Sequence, residues 1–244
     1  MSDLPIELHQ LILSYSDFLT QIRLRCVNKV LHAKLEIHDF YSIDLQYSFR
    51  LTNNILQSYP FITRLDIACS DVTDINHLTR LEDLNIGSNQ DIRNEGISNL
   101  TNLKDLYMTV NSSITNINHL TRLEVLYIEG TDISDKDISN LNLRELYIIA
   151  NTQITDLNHM TRLEKLCVGA YCGIGDAGIA NLNLKELCGI DANGISKLKL
   201  KKLIAENNPK ITKKEPIVPD LHTYATIYNY FRIQEGSAIL RYDT

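Results

Sequence analysis

Nowhere does the chain reach about eighteen consecutive apolar residues, and no apolar stretch follows a basic one near its start. Those two absences predict neither a membrane-spanning helix nor a secretory signal. A basic cluster is missing as well: 24 Lys and Arg are interspersed with 30 Asp and Glu, for a net charge of −6. Nucleic-acid and anionic-membrane surfaces want concentrated Lys and Arg, so neither partner is expected. Cysteine is scarce, at five residues without paired spacing, which suits a reducing compartment and an intracellular location in cytoplasm or nucleus. Cys167 and Cys172 have no second pair to complete a zinc set. No Gly-rich phosphate loop, Gly-x-Ser-x-Gly or His-Glu-x-x-His occurs. No catalytic residue, cofactor or metal is therefore expected, and the chain does not read as an enzyme. With 244 residues it is long enough to bury a substantial core.

What is present is a ladder. An apolar triplet spaced x, x+3, x+5 recurs nine times from Phe40, at intervals of 22, 19, 22, 20, 20, 20, 21 and 16 residues. Leu81-Glu82-Asp83-Leu84-Asn85-Ile86 and Leu123-Glu124-Val125-Leu126-Tyr127-Ile128 are two clear copies. The ninth position of each unit is Asn89, Asn111, Asn151 and Asn208, with Ser70 and Thr131 as substitutes, and Tyr171 and Ala192 break the series. Leu-x-x-Leu-x-Leu followed by Asn is the leucine-rich-repeat signature: a strand, a turn and a return segment. One unit cannot cover its own leucines, so the units must stack into a solenoid with a parallel inner sheet. The expected fold is α/β, with about nine such units.

Two unit types alternate. One ends like Ile154-Thr155-Asp156-Leu157-Asn158-His159-Met160-Thr161-Arg162, the other like Ile92-Arg93-Asn94-Glu95-Gly96-Ile97-Ser98-Asn99-Leu100. The first resembles internalin-type repeats, the second those of F-box leucine-rich-repeat proteins. His77, His119 and His159 recur 42 and 40 residues apart because one module was duplicated, not as a metal array.

Residues 1–39 have a different pattern. Pro5 suits a first helical turn with Ser2 and Asp3 as caps, and Leu8, Ile12 and Tyr15 share one face. A break at Ser16-Asp17 starts a second helical pattern through Leu19, Ile22, Leu24 and Val27; Asn28-Lys29 starts a third, through Leu35. Leu4-Pro5-Ile6-Glu7-Leu8, Ile12 and Leu24-Arg25-Cys26-Val27-Asn28-Lys29 resemble the F-box, although the Trp often found after that Val is absent. The order agrees, since in F-box leucine-rich-repeat proteins the repeats follow the F-box directly. Phe40-Tyr41-Ser42-Ile43-Asp44-Leu45 reads as the first strand, with Leu51–Leu56 as its return. The expected division is a three-helix F-box-like module over 1–39, a solenoid over 40–211 and a C-terminal cap or tail over 212–244.

The resemblance implies the substrate-recognition subunit of a cullin-RING, SCF-type ubiquitin ligase. Leu4, Pro5, Leu8, Ile12 and Val27 would contact a Skp-type adaptor and, through it, a cullin. The alternative is a cytosolic scaffold unrelated to ubiquitin, with those side chains inside an N-terminal cap. Every cysteine lies at or before Cys188, so the tail after residue 211 holds no ligase nucleophile. The target site is expected on the concave face. Alternation along each strand turns Tyr107, Tyr127 and Tyr147 outward as an aromatic stripe, in one row with Asp44, Asp66, Asn85, Cys167, Cys188 and Ile204. Asp83, Asp105, Glu145 and Lys165 flank the stripe, a setting for a protein target that is basic and somewhat apolar. Cys167 and Cys188, on neighbouring strands, read as exposed thiols.

Overall fold

The computed structural model describes residues 4–41, 43, 48–168, 172–188 and 202–204. It opens with three short helices, α1 (Ile6–Ser14), α2 (Phe18–Arg25) and α3 (Lys29–Lys34). Local chemistry starts two of them. Asp17 Oδ1 accepts from the Thr20 amide at 2.9 Å, and Asn28 Oδ1 accepts from the Leu31 amide at 2.9 Å. Such caps satisfy amides that the first helical turn leaves without partners. Pro5 is the N-cap of α1 rather than a residue of its first turn, and no side chain caps that helix. Ser2 and Asp3 lie outside the described residues.

Among the described residues nine strands follow and pair in chain order as one parallel sheet. They are β1 (Asp39–Phe40), β2 (Arg64–Asp66), β3 (Asp83–Asn85), β4 (Asp105–Thr109), β5 (Val125–Glu129), β6 (Glu145–Ile149), β7 (Lys165–Val168), β8 (Glu186–Cys188) and β9 (Lys202–Ile204). The expectation of nine units is corrected to about six regular turns. A regular turn needs strand, ladder residue and return segment together. β1 has only two residues, and its return passes through a short helix, Asn53–Gln57. Tyr171, Ala192, Asn208 and the 212–244 tail lie outside the described residues.

The first unit is also shifted. Phe40 pairs with Leu65, which is the second leucine position of its own unit. Ile37, not Phe40, therefore starts the first unit, three residues earlier than the sequence reading has it. The outward residue of that strand becomes Tyr41 in place of Asp44, which is not among the described residues.

Stacking produces one core. Leu65, Leu84, Leu106, Leu126, Leu146 and Leu166 lie one above another in the register and are wholly buried. A contiguous set of buried side chains runs from Leu13 in α1 to Leu187 in β8. Helical module and solenoid thus share a single interior.

The expected asparagine ladder is present and closes the turns. Asn89 Nδ2 donates to Val72 O at 3.0 Å and Ile67 O at 3.3 Å, while its Oδ1 accepts from the amides of Asp91 and Ile92. Asn151 repeats this three turns later, on Ile133 O at 2.9 Å and on the amides of Gln153 and Ile154. The alternation of unit types has a structural counterpart as well. One return segment carries a helical turn, at Asn94–Ile97, Asp135–Asp137 and Asp176–Ile179, whereas the other has only single hydrogen-bonded turns among the described residues. Gly96 belongs to the first type: a Cβ there would lie 2.2 Å from Thr73 O of the preceding turn.

The residue just before each ladder position adopts a left-handed conformation: Cys69 (φ 56°), Ser88 (φ 55°), Val110 (φ 46°), Gly130 (φ 54°) and Ala150 (φ 49°). For a β-branched side chain this is strained, by about 1–2 kcal/mol. Two outcomes are expected in urea denaturation. Asn89→Ala strands carbonyls and amides in the interior and destabilises the solenoid by about 3 kcal/mol. Val110→Gly relieves the strain at an exposed site and, net of the added backbone entropy, stabilises it by roughly 0.5–1 kcal/mol.

Candidate protein-interaction surfaces

The helical module is apolar on two sides. His9 and Leu13 of α1 are buried, and Ile6, Phe18, Ile22 and Leu24 pack partly against the shared core. Leu31 and Leu35 complete this inner side. Gln10 ties α1 to the linker through two bonds, donating to Glu36 O at 2.7 Å and accepting from the Glu36 amide at 3.0 Å. Phe18 meets Phe40 edge-on at 5.0 Å between ring centres, Phe40 meets Tyr59 at 4.9 Å, and the Arg25 guanidinium sits 4.7 Å over Tyr59. These contacts make the junction stiff.

The other side faces solvent. Leu4 and Leu8 are each 44% exposed, Ile12 48% and Val27 56%, and Pro5 is exposed too. All five residues expected to meet an adaptor are therefore accessible, not interior to a cap. Leu8, Ile12 and Tyr15 do share a face of α1, and it is the solvent face. Leu11, Leu19 and Val30 extend the exposed apolar set and were missed by the sequence reading. Their signal was legible only in part, because Leu19 and Val27 share an apolar period with Ile22 and Leu24, which point inward.

The second surface is the sheet face turned away from the core. Arg64, Asp83, Asp105, Val125, Glu145, Lys165 and Glu186 are successive register partners, as are Asp66, Asn85, Tyr107, Tyr127, Tyr147 and Cys167. Tyr107, Tyr127 and Tyr147 form the expected row, with ring centres 6.4 and 6.0 Å apart. Tyr41 extends it, its ring 6.4 Å from that of Tyr107. Tyr127 departs from expectation, since neighbours on both sides leave it only 5% exposed. Tyr107 and Tyr147 remain half-buried. Tyr147 OH donates to Glu145 Oε2 at 3.0 Å.

Cations stand at both ends of the row. Arg64 lies 5.0 Å over Tyr41 and pairs with Asp39 and Asp83, each at 3.1 Å. Lys165 lies 5.4 Å over Tyr147 and pairs with Glu186 at 3.4 Å. Between them the face is acidic. Burial raises the carboxyls of Asp66 and Asp83 above the usual range. Burial first, then repulsion from Asp83, Glu124 and Glu145, pushes Asp105 up to about 6. All three phenols are held above their ordinary value by burial and adjacent carboxylates, so they stay neutral.

His119 Nε2 lies 3.1 Å from Ile97 O and His159 Nε2 lies 3.2 Å from Ile138 O, each bonding one turn back. His119 and His159 thus staple successive turns, whereas the buried Nε2 of His77 has no hydrogen-bond partner among the described residues, and no metal-binding group of His, Cys, Asp or Glu exists among those residues. Cys167 is disulfide-bonded rather than the exposed thiol expected of it. The register sets its Cα beside that of Cys188 on the next strand, as the spacing predicts. Among the described residues no helix is long and apolar enough to cross a membrane.

Residues 1–43 match the model of the F-box domain. The solenoid is similar to an internalin, InlF, of Listeria monocytogenes, at 33% identity and a TM-score of 0.51, covering 62% of this chain and 50% of that one. It also has the fold of internalin C2 from the same organism, at 21% identity and a TM-score of 0.50, over 70% of this chain and 81% of that one. The chain therefore spans half the length of InlF. A comparison with curated proteins finds no match. Residues 1–43 thus carry an F-box domain, and the parallel-sheet solenoid that follows has the leucine-rich-repeat fold.

The raised Asp105 carboxyl makes stability depend on pH. Its folded-state value, about 6, exceeds the ordinary 3.8, so the folded protein holds the proton more tightly than the unfolded chain. Stability falls as pH rises from about 4 through about 6, by about 1 kcal/mol after allowance for solvent screening. Asp105→Asn is expected to raise the melting temperature at pH 7 and to flatten this part of the pH profile.

Proposed function

We propose that this protein is the substrate-recognition subunit of an SCF-type, cullin-RING ubiquitin ligase. The observation that carries the reading is the solvent-exposed apolar face of the helical module, within the segment that matches the F-box domain. Leu4, Pro5, Leu8, Ile12 and Val27 dock a Skp-type adaptor, which links the chain to a cullin. An apolar face left uncovered by its own fold marks a partner site. The same helices use their opposite side to close the solenoid, so the adaptor is held at a set position relative to the sheet face.

That sheet face receives a target protein through Asp83, Asp105, Tyr107, Glu145, Tyr147 and Lys165, with Tyr127 supporting its neighbours from beneath. In this reading residues 1–39 are the docking module, 40–211 the target-binding solenoid and 212–244 its cap. The chain supplies no reacting group. Its contribution is effective concentration, since tethering turns lysine attack on a ubiquitin thioester into a quasi-intramolecular step. The work is done inside the cell, where the ligase components reside.

The test is co-purification with a Skp-type adaptor. The wild-type chain is expected to form the complex, and Leu8→Asp/Ile12→Asp to weaken it at least tenfold, about 1.4 kcal/mol, with the melting temperature unchanged. Leu13→Asp, on the inner side, is expected to unfold the module instead. Absence of a wild-type complex under conditions where a known F-box binds would sink the reading.

A further inference from the structure

The turn that begins with β7 has no ladder asparagine. Asn89, Asn111 and Asn151 each bond back to the preceding turn, but the same position here is Tyr171. Other side-chain ties from β7 to β8 are few. Leu166 and Leu187 stack in the core, and Lys165 pairs with Glu186 at 3.4 Å near the surface, a contact worth little by itself. A disulfide is found at this same gap. Cys167 is disulfide-bonded and half-buried, on the sheet face turned away from the core. Cys26, Cys69 and Cys172 take no part in a disulfide, and Cys172 Sγ is turned to Ile148 O at 3.3 Å. Of the five cysteines that leaves Cys188, whose Cα is the register partner of Cys167. Neighbouring strands lie about 4.8 Å apart. That spacing falls inside the roughly 4.4–6.8 Å between Cα atoms that a disulfide spans.

We propose that Cys167 and Cys188 form a reversible redox clasp, which takes the place of the missing ladder asparagine and sets how firmly β8 is held on β7. On closing, the two thiols give up two protons and two electrons to a low-molecular-weight disulfide of the glutathione type, which leaves as two thiols. On opening, a reductant thiolate attacks one sulfur of the clasp and the other departs as a thiolate. A second reductant thiolate then resolves the mixed disulfide, and both cysteines take up protons. Neither direction requires the strands to move, and Cys167 is accessible from the sheet face. Disulfides of a reducing compartment are usually transient or redox-sensing rather than permanent staples. Calling the clasp a switch rests on the intracellular reading above; the bond and the segment it governs do not.

The bond closes a loop of about twenty residues and so restricts how far that segment can open. The loop includes the helical turn Asp176–Ile179. Opening the bond leaves the leucines stacked, so the turn stays in place but opens locally more often. The effect reaches the aromatic row, because Glu186 of β8 holds the Lys165 that lies over Tyr147. Strands β4 and β5 lie outside the loop.

Native-state hydrogen exchange of the full chain tests this, with the disulfide state in each buffer mapped by non-reducing peptide mass spectrometry. Glutathione disulfide is expected to give a Cys167–Cys188 bond, and excess reduced glutathione to open it without denaturant. Amides of residues 176–188 should exchange at least about tenfold faster with the bond open, while those of β4 and β5 stay unchanged. Cys167→Ser should match the reduced wild type in both buffers, with protected β4 and β5 amides showing that it is folded. Should that variant unfold, the wild-type comparison between buffers still decides. Cys172→Ser should respond to the buffers as wild type does. The proposal is overturned if mapping joins Cys167 to another cysteine, or if reduced glutathione leaves the bond closed in the native chain. It is equally overturned if opening the bond leaves exchange of residues 176–188 unchanged, or if Cys172→Ser abolishes the response. Neither adaptor nor target enters this assay, so its failure leaves the receptor reading standing, and loss of the adaptor complex leaves this result standing.

Discussion

No turn of this chain can cover its own leucines, and everything else in the structure depends on that constraint. Each strand presents one leucine column to the interior, and only the turns above and below can shield it from water. Stacking in register is therefore obligatory, and it sets the positions of the side chains on the opposite face. The buried asparagines make the stack specific. Asn89 and Asn151 bind carbonyls of the preceding turn and amides of their own, so slipping by one residue would strand several polar groups in the interior.

The same constraint shapes the N-terminal module. A solenoid has an open end whose first leucines need a lid, and α1 to α3 supply it with Leu13, Leu31 and Leu35. Three helices this short have little interior of their own. They draw stability from the core they cover, and one whole apolar face is left over. Lid and exposed apolar face are two sides of a single helical layer. The Gln10–Glu36 clamp and the Phe18–Phe40–Tyr59 contacts hold that layer against the first strands.

On the sheet face, register converts a weak sequence feature into a strong local environment. Strands about 4.8 Å apart bring tyrosines into a row and carboxylates into mutual repulsion. Burial then raises the carboxyl of Asp105 into the physiological range. The result lowers stability at neutral pH.

Much of the architecture was legible in the residue order because a repeat writes the same information many times. The leucine columns, the asparagine ladder, the alternation of return segments and the Tyr107–Tyr127–Tyr147 row all follow from spacing near twenty residues. Where that redundancy failed, so did the reading. The first unit has no close copy, and the complete apolar triplet at Phe40, Ile43 and Leu45 masks the true start at Ile37, whose third position is the polar Ser42. Only the pairing of Phe40 with Leu65 decided between them, and it brought Tyr41 into the aromatic row. Tertiary structure also decided which apolar face of α1 was buried, because period alone marks faces without saying what covers them. It buried Tyr127, joined Cys167 in a disulfide and raised the Asp105 carboxyl, since those properties depend on neighbours from other turns. Sequence by itself determined the fold and the candidate faces, through local periodicity. Exposure, pairing and charge balance came only from contacts between residues distant along the chain.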